Sequence, residues 1–222
     1  MKREPNAKEP MGRRAAISPL TVRRLSLYLR CLDHLAAEGV TTVSSRQLGD
    51  ALGLTAAQVR KDLAQFGQFG RPGVGCHIAD LAGRLRGIFG TDRRWELALV
   101  GVGSLGRALL RYRGFRDKGF HISAAFDTAA GKVGRKYGEV VVQRMSRLAS
   151  VVAEKGIRLA VLTVPAAAAQ DVADQLCRAG IRGILNFAPA NLNVPEGVTV
   201  VPVDMAAQIE QLSYFVNSPN RA

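Results

Sequence analysis

A chain of 222 residues, 47% of them hydrophobic, can bury one or two cores. No run approaches the roughly 18 apolar residues of a membrane span, and the charged N-terminus lacks the apolar core of a signal peptide, so a soluble, cytoplasmic protein is expected. Cys31, Cys76 and Cys177 are far apart and form no CxxC pair, which argues against a disulfide framework or a zinc site, while a formal net charge of +13 asks for a polyanionic partner, most simply nucleic acid.

Residues 1–17 mix charge, Pro and Gly without periodicity and read as a disordered basic tail. Within residues 1–30, Lys2, Arg3, Lys8, Arg13, Arg14, Arg23, Arg24 and Arg30 are opposed only by Glu4 and Glu9. The positive charge therefore reads as concentrated at one end, as in a nucleic-acid-binding arm. Ser18-Pro19 starts a helix, with Ser at the N-cap and Pro at the first helical position. Leu25, Tyr28, Leu29, Leu32 and Leu35, with Leu20, then recur at helical spacing up to Gly39.

From Val43 to Phe66 two capping-box patterns, Ser44-x-x-Gln47 and Thr55-x-x-Gln58, predict two short helices separated by Gly53-Leu54-Thr55. That spacing is a helix-turn-helix. Val59, Leu63 and Phe66 make the buried stripe of the second helix. Its other face offers Ala57, Gln58, Arg60, Lys61 and Gln65, which suits a helix entering a major groove. Ser44, Ser45 and Arg46 open the first of the two helices and are candidate DNA contacts with it. The glycine-rich Gly67–His77 stretch predicts a tight hairpin, a wing carrying Arg71 toward phosphates or the minor groove. A helix over Ala79–Phe89 ends at Gly90, so residues 18–90 form the expected winged-helix DNA-binding domain.

The next element, Trp95–Val100, is a short apolar strand running into Gly101-Val102-Gly103-Ser104-Leu105-Gly106. Leu105, Ala108 and Leu109 follow at helical spacing, so Gly-x-Gly-x-x-Gly stands in the strand–turn–helix context that a dinucleotide requires. Gly101 permits the turn, Gly103 lets the backbone approach a pyrophosphate, and Gly106 lets helix pack on strand. A second strand, Ile122–Phe126, ends on Asp127, about 20 residues beyond the last glycine, where a ribose-binding acid belongs. Its charge favours NAD(H) over NADP(H). After a Gly131–Gly134 loop come strand Val140–Val142, helix Met145–Lys155, strand Leu159–Val164, helix Ala167–Ala179, strand Gly183–Phe187 and strand Val198–Val201. Short apolar strands alternating with helices define an α/β fold, a doubly wound parallel Rossmann sheet over residues 91–203. Its carboxyl ends place Thr163, Pro165, Asn186 and Phe187 beside Gly101–Gly106. A last helix, Met205–Val216, within residues 204–222, carries Ile209, Leu212, Tyr214, Phe215 and Val216, and packs on its own sheet or makes an oligomer contact.

Chemistry at the strand ends is sparse. His34 and His77 belong to the N-terminal domain, and His121 begins the second strand at the wrong end of the sheet. Thr163 and Asn186 are poor acid–base groups, and Tyr112 is able in principle to donate a proton, though packing or an interface hydrogen bond is its more ordinary role. A cofactor site without catalytic groups suggests sensing rather than turnover. Two alternatives stay open: an NAD-dependent oxidoreductase with an accessory basic domain, and a constitutive DNA binder with a vestigial sheet.

A winged helix followed by a dinucleotide fold resembles the Rex family of redox-sensing transcriptional repressors. The resemblance spans about residues 18–217 and rests on Val43-Ser44-Ser45, Gln58-Val59-Arg60-Lys61-Asp62 with Phe66-Gly67, Gly101–Gly106, Phe126-Asp127, Leu162-Thr163-Val164-Pro165 and Gly183-Ile184-Leu185-Asn186-Phe187-Ala188-Pro189. It implies a homodimer on palindromic operator DNA near respiration and fermentation genes. NAD+ permits DNA binding and NADH releases it. It implies too that the C-terminal helix is exchanged between subunits, and that Arg30, Tyr112 and Asp204 match a switchable polar link between the domains. Two departures stand out: Met205 follows Asp204 where some members have Phe, and Gly73-Val74-Gly75-Cys76 replaces the frequent Gly-x-Gly-Tyr of the wing.

Overall fold

The computed structural model describes residues 17–67, 69 and 75–218. The chain divides into two compact units at Asp92/Arg93.

In the first unit, α1 (Pro19–Ala37) begins as its sequence predicts. The Ser18 hydroxyl accepts from the Thr21 amide at 3.3 Å, and Pro19 leads the first turn. Leu25, Tyr28 and Leu32 are inaccessible, one stripe at helical spacing, whereas Leu20 points to solvent at 66% exposure. α2 (Ser45–Leu52) and α3 (Ala56–Ala64) flank a turn in which Gly53 is left-handed, φ +66°. Ser44 makes both halves of its capping box. Thr55 makes one half only: its hydroxyl caps the Gln58 backbone amide, but the Gln58 side chain turns instead to Asp62, its Nε2 donating to that ionised acceptor.

Of the expected wing, residues 68 and 70–74 lie outside the described residues. Its described strand, β2 (Cys76–His77), pairs antiparallel with β1 (Thr42–Val43), which precedes α2. A Cβ at Gly75 would lie 2.7 Å from the Val43 carbonyl oxygen, so glycine is what allows this pairing. The hairpin tip, with Arg71, lies outside the described residues, as do residues 1–16. α4 (Ile78–Phe89) starts one residue earlier than its pattern suggests and packs Ile78, Leu81, Ala82 and Leu85 into the core with Leu25, Tyr28, Leu32, Val43, Leu48, Val59 and Leu63. An Arg86–Asp33 ion pair ties α4 to α1.

The second unit is one seven-stranded sheet. In chain order it runs β3 (Trp95–Val100), α5 (Ser104–Arg111), a 3₁₀ turn (Arg113–Lys118), β4 (Phe120–Asp127), β5 (Lys136–Tyr137), β6 (Val140–Arg144), a second 3₁₀ turn (Met145–Arg147), α6 (Leu148–Glu154), β7 (Leu159–Leu162), α7 (Ala166–Arg178), β8 (Gly183–Asn186), β9 (Thr199–Pro202) and α8 (Met205–Asn217). The strand order is β5-β6-β4-β3-β7-β8-β9. The sheet is not wholly parallel: β5, which its two residues gave no pattern to reveal, pairs antiparallel with β6 at one edge. All other neighbours are parallel.

α6 and α7 cover one face of the sheet through Leu148, Val151, Val152, Ala169, Val172, Ala173 and Leu176. Leu109 and Leu110 of α5 pack on the other, over Leu97, Leu99, Ile122 and Val161. Chain order reverses at β3, between β4 and β7, and a crevice at the carboxyl ends of such neighbours is where α/β sheets take ligands. α8 buries none of its side chains within the chain.

Candidate functional site

The turn after β3 sits at that reversal point. Gly101 has φ +97°, and a Cβ there would lie 2.6 Å from the Thr163 carbonyl oxygen. A Cβ at Gly106 would lie 2.1 Å from the Gly101 oxygen. Both glycines are thus demanded by the protein itself. Gly103 is different: its φ of −78° suits any residue, and a Cβ would meet nothing within 4 Å. Nothing among the described residues explains a glycine there. A ligand approaching the backbone from open space would account for it, the part a pyrophosphate plays in a Gly-x-Gly-x-x-Gly turn. Gly103 is also the N-cap of α5 and, lacking a side chain, gives the helix no side-chain cap. The first-turn amides and the positive end of the helix dipole face that open space. Val102, buried, and Ser104 and Leu105 complete the turn.

Asp127 closes the cradle from β4. It is buried, and its Oδ2 accepts from the Val102 amide at 2.8 Å and from Lys132 Nζ at 2.9 Å. Oδ1 accepts from the Ala129 amide at 2.8 Å. Burial pushes this carboxyl upward, but the Ala129 amide, Lys132 and the Val102 amide together hold it below the usual carboxylate range. The ionised acid therefore locks the glycine turn to the end of β4. A carboxylate has about four acceptor positions, and three are in use, which leaves one for a ribose hydroxyl. These residues fit the adenosine diphosphate half of a dinucleotide.

Thr163 faces the same turn, but its hydroxyl is engaged: it donates to Gly101 O at 2.6 Å, with Val100 O at 3.1 Å. Asn186 is buried and shapes its own loop, Nδ2 donating to Ala190 O and Oδ1 accepting from the Ala188 amide. Phe187 is half-buried, its amide donating to Leu162 O, and Pro165 is exposed at the start of α7. Tyr112, 59% exposed, ends α5 and stands edge-on to Phe115 at 5.1 Å. Asp204 caps α8, accepting from the Ala207 amide at 3.0 Å. Arg30 is exposed on α1 of the first unit. His121 lies near the start of β4 against Glu96, at 3.1 Å, at the opposite end of the strand from Asp127.

In the first unit, Arg46, Ala57, Arg60 and Lys61 are exposed, and Ser44 and Ser45 are half-buried at the start of α2. Gln58 does not stand free on this face, because its amide is held by Asp62 Oδ1 at 2.8 Å. Asp62 was not evident from the sequence as a buried group. It also receives Arg24 Nε and Nη2 at 2.6 and 2.7 Å and the Tyr28 hydroxyl at 2.7 Å. α3 is thereby clamped to α1 by a network behind its exposed basic face. Lys132, whose ammonium meets Asp127, was likewise not evident from the sequence.

Fold and cradle define a class: a winged helix-turn-helix unit followed by a Rossmann unit built to hold a nucleotide. Residues 16–64 match the family described as putative DNA-binding protein N-terminus, and residues 92–190 match the CoA binding domain family. The redox-sensing transcriptional repressor Rex of Carboxydothermus hydrogenoformans is 46% identical over 200 residues, covering 90% of this chain and 96% of that protein. The Rex of Chloroflexus aurantiacus is 45% identical, covering 89% and 93%. The chain belongs to the Rex family of redox-sensing transcriptional repressors. Among solved structures, RSP in complex with β-NAD+ and operator DNA is similar with a TM-score of 0.87 and 35% identity, covering 92% of this chain and 94% of that one. RSP in complex with β-NADH matches with a TM-score of 0.84 and 33% identity, covering 92% and 96%.

Proposed function

We propose that this chain is a DNA-binding repressor whose operator affinity follows the NADH/NAD+ ratio, and that it is not an enzyme. The observation that carries this is the cradle at Gly101–Gly106, with Gly103 open to a ligand, in a chain that also presents the exposed Arg60 and Lys61 on a helix-turn-helix. RSP, a relative, is seen with β-NAD+ and operator DNA together and with β-NADH. Residues 18–90 bind DNA, 91–203 sense the cofactor, and 204–222 dimerise the chain in the cytoplasm, where both ligands are found.

Gly101–Gly106 and the first turn of α5 hold the pyrophosphate, and Asp127 accepts from the adenosine ribose. Neither contact distinguishes the two redox forms, which differ by a hydride and by the charge on the nicotinamide ring. The discriminating contacts lie at that ring, among Thr163, Asn186, Tyr112 and the C-terminal helix of a second copy, with Pro165 and Phe187 also lining the cofactor. Arg30, Tyr112 and Asp204 make the switchable link that carries the difference to the winged helix. Ligands act by differential affinity for two arrangements of the chain, so the coupling is reciprocal. DNA is held by Ser44, Ser45, Arg46, Ala57, Arg60 and Lys61, with Gln58 and, from the wing, Arg71. Phosphate contacts among them make binding fall steeply with salt.

A mobility-shift titration of operator DNA tests the proposal. A tight complex with NAD+ that NADH weakens about 100-fold corresponds to a coupling of about 2.7 kcal/mol, within the usual allosteric range. Equal affinity with the two forms would overturn it, and steady NADH consumption with a carbonyl substrate would restore the enzyme reading.

A further inference from the structure

The ribose acid of this chain is not alone. Lys132 belongs to the turn between β4 and β5, a segment fixed by its own backbone: the Lys132 and Val133 amides donate to Ala129 O, and the Gly134 amide donates to Val142 O. From this pinned position its ammonium reaches Asp127 Oδ2 at 2.9 Å, with the side chain 37% exposed. An ammonium has three donors, so two remain beside the carboxylate after this bond. On the other side, Arg144 of β6 stands in register with Asp127 and is exposed. One cation, Lys132, therefore stands against the acid read as meeting the ribose, and Arg144 is its backbone neighbour on the next strand. The second unit as a whole is basic as well: residues 93–222 hold 17 Lys+Arg against 10 Asp+Glu.

A ribose 2′-phosphate brings nearly two negative charges and three strong acceptors. Against Asp127 it meets a like charge, and Lys132 cannot serve it, because its charge is already matched by the carboxylate. Without that carboxylate, the Lys132 ammonium held at this point is a phosphate receptor, since an ammonium binds phosphate through charge-assisted hydrogen bonds. Resting on the dinucleotide reading above, we propose that Lys132 is a ligand of the adenosine ribose and a latent 2′-phosphate receptor, which Asp127 holds in check. Selectivity for NADH over NADPH is then a property of the Asp127–Lys132 pair rather than of Asp127 alone.

Calorimetric titration of the full-length protein with NADH and with NADPH tests this. The wild type is expected to prefer NADH. Lys132→Met should weaken NADH about fivefold, the effect of one charge-assisted hydrogen bond at a half-exposed site. Asp127→Asn, which keeps an acceptor for the Val102 amide, should raise the NADPH/NADH affinity ratio about 100-fold, as swapping repulsion for a charge-assisted bond predicts. Adding Lys132→Met should abolish that rise, and adding Lys132→Arg should preserve it. A rise that is the same with and without Lys132, or no rise while NADH still binds, would overturn the assignment. A wild type that binds neither dinucleotide would overturn the dinucleotide reading itself. If Asp127→Asn fails to fold, Lys132→Glu carries the test: it should lose NADH affinity at least tenfold through repulsion of the nearby carboxylate, and undiminished binding would overturn the proposal.

Discussion

The carboxylate of Asp62 accepts four hydrogen bonds at 2.6–2.8 Å, two from Arg24 and one each from Tyr28 and Gln58. Burial pushes its pKa up, but Arg24, Tyr28 and Gln58 more than offset this and hold it below the usual carboxylate range. Burial first, and then the bond to Asp62, push the Tyr28 phenol above its ordinary value. The signs give a window. A carboxyl with a depressed pKa stabilises the fold at neutral pH and loses that contribution below about pH 4, while a phenol with a raised pKa loses its contribution above about pH 10. Hydrogen exchange of the α1 and α3 amides in the intact protein should therefore accelerate outside those limits. Asp62→Ala leaves the Arg24 guanidinium and the Tyr28 hydroxyl without their acceptor. It should cost about 3 kcal/mol of protection at neutral pH, the penalty for breaking a buried ion pair. The sequence did not announce this network, because Arg24 and Tyr28 lie 38 and 34 residues before Asp62. Between Val59 and Leu63 a lone aspartate reads as solvent-facing; only the packing of α1 on α3 turns it inward.

Among the elements, the β3–α5 turn was legible because its signal is local: an apolar strand, three glycines and a helix in one short run. Its three glycines are not equivalent, however, and only the structure separates them. Gly103→Ala adds a methyl to open space at an ordinary φ, so thermal stability should change by less than about 0.5 kcal/mol, the usual range for an unstrained surface change. Dinucleotide affinity should nonetheless fall at least about tenfold, because the methyl would occupy the path proposed for the pyrophosphate. Gly106→Ala does the reverse, forcing the backbone apart at Gly101 and costing about 2 kcal/mol or more of stability. Parallel melting curves and NADH titrations distinguish the pair, and equal loss of stability in both would remove the argument for a ligand at Gly103. Elements with little local signal were the ones missed. β5 is two residues long, and its strand character comes from pairing Lys136 with Val141 and Tyr137 with Val140. The wing strand Cys76–His77 likewise takes its partner, Thr42–Val43, from 33 or more residues upstream. Asn186 was placed correctly at a strand end, yet both its polar groups serve the Ala188–Ala190 loop, a use that its position alone does not reveal.

At the scale of the molecule, the charge is not the one-ended arm that residues 1–30 suggest. The second unit alone has an excess of seven basic residues, 17 against 10, so both a nucleic acid and a phosphorylated cofactor meet favourable fields. The apolar surface is uneven too. α8 exposes Ile209, Leu212, Tyr214, Phe215 and Val216 at 56–70% each and buries no side chain. A helix with that composition and no core contact lacks a source of stability in a lone chain, because short helices in water depend on packing. A contiguous apolar face of this kind marks an interaction site. A second copy is the partner we propose for this face, since a palindromic operator, as the resemblance implies, has a two-fold axis that a dimer would match. Ending the chain after Asp204 should therefore yield a monomer by sedimentation. Its sheet should keep its melting transition, because α8 contributes nothing to either face of the core. Operator affinity should fall at least about 100-fold, as half-sites no longer bind as one unit. Phe215→Glu should act the same way by placing a charge in the apolar face proposed as the dimer contact. A truncated chain that still sediments as a dimer, or that binds operator undiminished, would place the subunit contact elsewhere on the molecule.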